Sequence, residues 1–454
     1  MSDLDKIFKA YDIRGLSPDE LDESVAEAVG AAFVRLTGAK TLVTLHDMRS
    51  SSEPLAAALG RGAVSQGASV IHGGLGSTDM AYYASGSLDI PGVMITASHN
   101  PAKYNGMKLC KAGARPVGIE TGLAEIKRMV ADGVPGYAGA PGTVTTRDLL
   151  PGYAEYLKKL VDISSIRPLK VVVDAGNGMG GYTVPTVFEG LPITTIPLYF
   201  ELDGTFPNHE ANPIDPENLR DLQAAVREHG ADIGLAFDGD ADRCFVVDER
   251  GEIVSPSVLT ALIATRELAR EPGATVIHNL ITSRAVPEMI GEHGGTPVRT
   301  RVGHSFIKAK MAETNAIFGG EHSGHFYFRD FWFADSGMLA ALHTLAALGQ
   351  DDRPLSVIFC DFARYSASGE INSEVADQAG TARRVKEIYQ RQPGVTTDEL
   401  DGLTVSGDDW WFNLRPSNTE PLLRLNVEAA NEVEMAAIRD EVLGIVRGTG
   451  SRSG

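Results

Sequence analysis

Basic side chains are in short supply: 41 Lys and Arg stand against 60 Asp and Glu, a formal net charge of −19. A deficit of that size leaves no broad basic face, which excludes wide contact with nucleic acid or anionic lipid. If such a chain handles a small anion, it has to gather its few cations locally. Cysteine is scarcer still. Cys110, Cys244 and Cys360 are odd in number, scattered and in no CxxC spacing, so they read as ordinary thiols of a reducing compartment. Long apolar runs are also missing. No uncharged stretch reaches the roughly 18 residues that span a bilayer, and Met-Ser-Asp-Leu-Asp-Lys at the start has no apolar core for a secretory signal. The expectation is a cytoplasmic protein.

What is present is ordinary for a globular chain. Hydrophobic residues make up 43% and charged residues 22%, enough to bury sizeable cores. At about 150 residues per domain, the length predicts three domains, or four if one is small. Residues 1–143 alternate helix and strand signals. Val25, Val29, Phe33 and Leu36 recur at helical spacing, 41–45 and 69–72 read as strands, 54–68 as an Ala-rich helix, and 93–96 as a buried strand. Gly133 to Gly142 is a linker by composition. Residues 144–252 repeat the plan, with a helix at 150–160, strands at 170–174, 193–199, 233–237 and 244–247, and a helix at 219–229. Residues 253–365 do so again, with helices at 257–270, 304–314 and 334–348 and strands at 274–280 and 297–302. Residues 366–454 differ: helices at 379–391 and 431–447 flank three short strands, a small α+β domain in which Asn431 and Glu434 form a capping box. The fold class is therefore α/β, with three similar mixed domains and a smaller α+β C-terminal domain.

Each of the three similar domains carries a polar loop after an apolar strand, where open sheets place ligands. The first is Thr96-Ala97-Ser98-His99-Asn100-Pro101. Pro101 cannot continue a ladder, so Ser98 sits on a tight turn, either as a reacting hydroxyl or as plain turn chemistry. The second is Asp238-Gly239-Asp240-Ala241-Asp242-Arg243. Alternating carboxylates repel one another and call for a cation, and all-oxygen ligands suit Mg²⁺. A solvated acidic turn is the plain alternative. An EF-hand register with Glu249 fails, because Arg243 stands where glycine is required and strands flank the loop. The third, Gly319-Gly320-Glu321-His322-Ser323-Gly324-His325, places Glu321, Ser323 and His325 on one side of an extended loop, suited to reading sugar hydroxyls, binding metal, or forming an inert turn. In the last domain, Arg415-Pro416-Ser417-Asn418-Thr419-Glu420-Pro421 is donor-rich, a phosphate site or a turn, with Arg424 behind it. Lys9 to Gly15, with Tyr11 and Arg14, and Lys108 add charge, and Ser305 opens a helix as an N-cap with His304 beside a place for an anion. Ala175 to Gly181 reads as a turn, since it lacks a dinucleotide-binding pattern.

Taken together, the loops TASHNP, DGDADR, GEHSGH and RPSNTEP, one per domain and in this order, resemble those of the α-D-phosphohexomutases, specifically the phosphomannomutase/phosphoglucomutase group. The resemblance spans nearly the whole chain. It implies four domains around a central cleft, and an enzyme interconverting hexose 1- and 6-phosphates, of mannose and also of glucose, through a hexose 1,6-bisphosphate, which also serves as activator. It implies that Ser98 is the phosphoserine and that Asp238, Asp240 and Asp242, with phospho-Ser98, bind one Mg²⁺ per chain. Glu321 and Ser323 would take the sugar's 3- and 4-hydroxyls. Arg415, Ser417, Asn418 and Thr419 would take the non-reacting phosphate, and Tyr11, Arg243, His304 and His325 are further substrate-binding residues. Lys108 and His325 are the candidate acid and base, and Arg14 and His99 steady the phosphoserine. Some members have a lysine where this chain has Ile281, with Arg284 as a candidate replacement. The partners implied are small sugar phosphates, with the chain a monomer or weak homo-oligomer. Competing readings are a phosphoglucosamine mutase, a metal-dependent phosphatase, and a non-catalytic sugar-phosphate sensor.

Overall fold

The computed structural model describes residues 4–416 and 422–448. The chain divides into two compact units, Met1–Pro256 with Ser323–Ser356, and Ser257–His322 with Val357–Gly454.

In the first unit, one sheet runs in the order Ile13–Leu16, Tyr104–Lys111, Gly92–Ile95, Thr41–His46, Ser69–Leu75, Val144–Thr146. The last four strands are parallel, and Tyr104–Lys111 is antiparallel to both of its neighbours. The expected apolar stripe Val25, Val29 and Phe33 faces this sheet and joins Leu42, Val93, Ile95, Met107 and Leu109 in one buried cluster. Asp22 caps that helix, Glu23–Thr37, by accepting from the Val25 amide, and Gly38 ends it at φ 64°. The stretch 133–142 is a strap more than a spacer: Arg35 and Gln66 donate to the carbonyl of Pro135, and Arg35 also to that of Gly136. The chain then returns to the first sheet at Val144–Thr146, past residue 143 where the sequence placed the end of the first domain.

A second sheet has the order Ile253–Val254, Cys244–Asp248, Ile233–Phe237, Leu169–Asp174, Ile193–Leu198. Its central strand, Ile233–Phe237, is buried at every residue, which explains why it reads as an unbroken apolar run. The glycine-rich stretch after Asp174 turns only as far as Met179. From Gly180 it is a helix to Phe188, hidden from sequence reading by two glycines and the internal Pro185. The expected helix 334–348 is likewise shorter. Ala334–Asp335 pairs with Phe326–Phe328 as strand, and Ser336 caps a helix that begins at Gly337.

In the second unit, Thr296–Thr300, Thr275–Asn279 and Phe318–Gly320 run parallel. The helix His304–Thr314 is capped by Gly303, not by Ser305, which lies inside the first turn. The C-terminal sheet is wholly antiparallel, in the order Ser366–Glu374, Leu422–Ala429, Trp410–Pro416, Leu403–Ser406, Thr396–Asp398. Its helices Gln378–Tyr389 and Glu432–Val446 contribute Val385, Tyr389, Met435, Val442 and Val446 to a core with Phe412 and Leu425. Asn431 caps the last helix as expected, accepting from Glu434 N at 3.0 Å. No helix among the described residues is long and apolar enough to cross a membrane.

Two helix starts in the first unit meet at one carboxylate. Ser77 and Ser336, the caps of Thr78–Leu88 and Gly337–Gly349, both donate to Asp79, as does the Tyr153 hydroxyl at 2.7 Å. Asp79 is fully buried, and burial, opposed by these donors, raises its pKa to about 6. A folded-state pKa above the unfolded value of about 4 favours the native state only while the group is protonated. The benefit is complete below about pH 4 and lost as pH rises through 6. Asp79→Asn has no such loss, so the wild type's stability relative to this variant is expected to fall by roughly 2–3 kcal/mol from pH 4 to pH 7. Denaturant titrations at the two pH values measure it, and a constant difference would contradict the assignment.

Candidate active site

The buried strand Gly92–Ile95 ends at Thr96, whose Oγ1 accepts from the Ser98 amide at 2.9 Å. That side-chain bond, with Asn100 N to Ala97 O, folds the chain sharply and leaves Ser98 at φ 50°. A non-glycine residue in this region costs about 1–3 kcal/mol and is held there only by its surroundings. Ser98 is 2% exposed, and its Oγ donates to Asp238 Oδ2 at 2.8 Å, with His99 Nδ1 at 3.2 Å.

Asp238 follows the central strand of the second sheet. The loop turns at Ala241, φ 58°, with Ala241 N bonding Asp238 O, so that the three carboxylates point inward with oxygens within 4.8 Å of one another. Gly239 has to be glycine here, because a Cβ would meet the Ser98 carbonyl at 2.5 Å. Asp238, Asp240 and Asp242 are all at most 1% exposed. Burial, reinforced by the neighbouring carboxylates, pushes Asp238 well above the ordinary range and Asp242 to about 6. Asp240 shifts the other way. Burial is again the largest influence, but Lys108, Thr78 and Ser98 outweigh it and hold the carboxylate ionised.

Lys108 is the first compensating cation. Its Nζ reaches Asp240 Oδ2 at 2.7 Å and Asp242 Oδ2 at 2.6 Å, and the carboxylates raise its pKa against the effect of burial. Arg243 is the second. Its amide donates to Asp238 Oδ1 at 3.2 Å, and its Nε lies 3.6 Å from Asp238 Oδ2. Even so, Asp240 Oδ1 and Asp242 Oδ1 are buried with no hydrogen-bond partner. Orphaned carboxylate oxygens in an all-oxygen cluster fit a hard divalent cation.

His325 connects to this cluster. Its Nε2 accepts from Arg243 Nε at 3.3 Å and stands 3.7 Å from Asp242 and 4.0 Å from Asp335, while Nδ1 meets Ser323 Oγ at 2.9 Å. A backbone bridge between Arg243 and His325 holds this end of the loop. His99 is kept neutral, chiefly by the Arg243 charge and then by burial and Arg14. Arg14 spans Asn100 Oδ1 at 2.6 Å and Asp12 Oδ2 at 2.5 Å. Tyr11 lies on the bend before this strand, half-buried.

The other predicted residues belong to the second unit, since the division falls between His322 and Ser323. Glu321, 2% exposed, accepts from Asn279 Nδ2 at 3.2 Å and Gly303 N at 3.3 Å. Asn279 Oδ1 also accepts from the Ile281 amide at 3.2 Å and the Thr282 hydroxyl at 2.8 Å, which tie the loop carrying Ile281 to the end of its strand. Arg284, the candidate replacement, pairs with Glu288 at 3.2 Å and donates to the Asp408 carbonyl. Arg415 donates to Glu370 at 3.0 Å, and Arg424 lies 3.4 Å from the same carboxylate. Ser417, Asn418 and Thr419, and the side chain of His304, lie outside the described residues.

Two residues escaped the sequence reading. Thr78 donates Oγ1 to Asp240 Oδ2 at 2.5 Å and its amide to the Asp240 carbonyl. Arg49 lies beneath the Ser98 turn. Each follows the end of a parallel strand, as Ser98 and Asp238 do, and that position was the available signal.

Family models for phosphoglucomutase/phosphomannomutase match in four pieces: alpha/beta/alpha domain I at 5–133, domain II at 151–251, domain III at 255–365, and the C-terminal domain at 370–445. The chain is 41% identical over 444 residues to "Phosphohexose mutases" of Xanthomonas campestris pv. campestris, covering 97% of this chain and 99% of that one. It is 39% identical over 445 residues to a phosphomannomutase of Escherichia coli K12, covering 96% and 97%. A crystal structure of a phosphoglucomutase/phosphomannomutase family protein from Burkholderia thailandensis superposes with TM-score 0.88 at 32% identity, covering 100% and 99%. The architecture is thus the four-domain α/β one of these mutases. The chain belongs to the phosphoglucomutase/phosphomannomutase family, and its class is that of isomerases acting on hexose phosphates.

A divalent cation bound by the native cluster alone stabilises by RT ln(1 + [L]/Kd), about 2.7 kcal/mol at a hundredfold excess over Kd. Adding Mg²⁺ is therefore expected to raise the melting temperature of the wild type. The same addition should leave an Asp240→Asn/Asp242→Asn double variant nearly unmoved, and equal shifts in both proteins would contradict the assignment.

Proposed function

We propose that the chain interconverts hexose 1-phosphates and 6-phosphates, of mannose and also glucose, by way of phospho-Ser98. The observation that carries this reading is the Ser98 hydroxyl, held in a strained turn 2.8 Å from a trio of buried carboxylates that lack enough cations of their own. Phosphoryl transfer asks little covalent chemistry of a protein and much alignment and charge neutralisation.

In the forward direction, a free sugar hydroxyl attacks the phosphorus of phospho-Ser98. The phosphorus–Oγ bond breaks, the hydroxyl's proton passes to a base, the departing Oγ takes a proton from an acid, and a hexose 1,6-bisphosphate forms. After the bisphosphate turns end for end, Oγ gives up its proton and attacks the other phosphoryl group, the sugar oxygen departs with a proton, and phospho-Ser98 and the isomeric monophosphate result. His325 suits the acid–base role, because its Nε2 faces Arg243, Asp242 and Asp335 while Ser323 fixes Nδ1. Lys108, held charged by Asp240 and Asp242, suits charge neutralisation instead. Arg14 and the neutral His99 steady the turn that carries the phosphate. Asp238, Asp240 and Asp242, together with phospho-Ser98, would hold Mg²⁺, which would supply further neutralisation of charge on the transferring group.

Glu321 and Ser323 are assigned to the sugar's 3- and 4-hydroxyls, and Arg415 with Ser417, Asn418 and Thr419 to the phosphate that does not react. Tyr11, Arg243 and His304 are assigned to the substrate as well. Mannose and glucose differ only at C2, so a loop that reads the 3- and 4-hydroxyls accepts both. Hexose 1,6-bisphosphate serves as activator by charging Ser98. We place the enzyme in the cytoplasm, as a monomer or weak homo-oligomer.

Ser98→Ala is expected to lose at least ~10³-fold in turnover, since the covalent carrier disappears. A coupled assay on mannose 1-phosphate, glucose 1-phosphate and glucosamine 1-phosphate, with glucose 1,6-bisphosphate and Mg²⁺ present, measures both the loss and the preference. Near-normal turnover by the variant would refute the mechanism, and the fastest turnover on glucosamine 1-phosphate would refute the substrate.

A further inference from the structure

Arg49 is a guanidinium in the interior, 3% exposed, at the C-terminal end of the strand Thr41–His46. A guanidinium has five N–H donors in a fixed fork, and here every one is used. Nε donates to Asp47 Oδ2 at 3.2 Å, Nη1 to the carbonyls of Pro101 at 2.9 Å and Tyr104 at 3.1 Å, and Nη2 to those of Ser98 at 2.8 Å and Asn100 at 2.6 Å. Asp47 is fixed in turn, its Oδ1 accepting from Ser52 Oγ at 2.5 Å and Arg49 N at 3.0 Å. The Phe206 ring, its backbone at φ 54°, lies 5.0 Å from the guanidinium carbon.

Four carbonyls from one seven-residue turn therefore converge on a single cation. Three of them, those of Ser98, Asn100 and Pro101, lie on the turn before the strand Tyr104–Lys111 begins, and Ser98 at φ 50° turns its peptide out of the direction of the strand that precedes it. The Pro101 carbonyl also accepts from the Tyr104 amide at 3.0 Å, whereas the bond to the Ser98 carbonyl is buried, and a carbonyl left unpaired there would carry a desolvation cost. We propose that Arg49 is a positioning residue for phosphoryl transfer, fixing the 98–104 turn so that Ser98 Oγ stays aimed at the acidic cluster. This rests on the reading of Ser98 as the phosphoryl carrier. Arg49 touches no reacting atom: it acts through the backbone on either side of Ser98. Its charge also lies close enough to Asp240 for each to favour the other's ionised form. Lysine cannot substitute, because three donors on a point charge cannot span four carbonyls and a carboxylate.

The test compares wild type, Arg49→Lys, Arg49→Ala, Phe206→Leu and Ser98→Ala. Melting temperature reports folding, kcat and KM are measured on glucose 1-phosphate, and intact mass follows phosphorylation of Ser98 by glucose 1,6-bisphosphate. Misplacement of a reacting group by about 1 Å costs on the order of 10²-fold. Arg49→Lys is therefore expected to fold, to lose ~10²-fold in kcat with KM within about threefold of wild type, and to take up its phosphoryl group more slowly. Low-millimolar guanidinium ion is expected to restore Arg49→Ala at least about tenfold and to leave the wild type unchanged. Phe206→Leu, which keeps every hydrogen bond but lets water reach the cation, is expected to lose a smaller part of kcat alone. If Arg49→Ala does not fold, Arg49→Lys and Phe206→Leu decide the matter.

The proposal is overturned if folded Arg49→Lys keeps wild-type kcat, if only KM changes, or if the loss of rate tracks the loss of folded protein. Failure of guanidinium to restore a folded Arg49→Ala overturns it as well. Ser98→Ala separates the two readings. If that variant turns over normally, the carrier reading fails first. If it is inactive while Arg49→Lys matches the wild type, only the positioning role fails.

Discussion

Three carboxylates that cannot all be ionised comfortably follow the central strand of the second sheet. Asp238, Asp240 and Asp242 are removed from water, and their oxygens lie within 4.8 Å of one another. In a low-dielectric interior such a group is stable only if cations answer it. The surrounding polar architecture does this in part. Lys108 comes from the first sheet, and Arg243 from the acidic loop itself. Thr78, at a helix start, adds a donor to Asp240. The remaining imbalance fits a hard divalent cation.

The backbone is shaped to permit that concentration of charge. Two buried strands from different sheets, Gly92–Ile95 and Ile233–Phe237, each stop abruptly, and a non-glycine residue with positive φ follows on each side, Ser98 and Ala241. Between them Gly239 lets one loop's backbone lie against the other's carbonyl. Stiff sheets supply the fixed points, and the strained turns supply the angles that a regular ladder forbids. Several of the strongest interactions in this region, those of Thr78 and Arg49 among them, go to backbone carbonyls and carboxylates rather than to any place a substrate would occupy.

Much of this was readable beforehand, and the exceptions have physical causes. Fully buried strands such as 233–237 announce themselves by composition, and a carboxylate at every second position after such a strand has few peaceful uses. Elements whose surroundings do the stabilising were silent. The helix Gly180–Phe188 contains a proline, and the strand Ser366–Glu374 is mostly polar with a glycine inside. Neither shows a period that a pattern reader can use. The strand Tyr104–Lys111 was noticed only for its lysine, although Met107 and Leu109 are core residues. Among the residues around the acidic cluster, Ser98, Lys108, Arg243 and the three aspartates stand in legible motifs, whereas Arg49 and Thr78, which act on other residues, do not. A lone arginine after a strand has no signature until the carbonyls it serves are in view. Arg284, offered from sequence as a replacement for a lysine at Ile281, pairs with Glu288 and donates to the Asp408 carbonyl.

The positive φ of Ser98 has one more implication, for the choice of amino acid. Threonine offers the same hydroxyl and forms phosphate esters as readily, but a residue branched at Cβ is a genuine outlier in the left-handed region. At φ 50° the turn admits a hydroxyl only on an unbranched side chain. On the proposed reading of Ser98 as phosphoryl carrier, the choice of serine over threonine is thus set by a torsion angle and not by nucleophilicity.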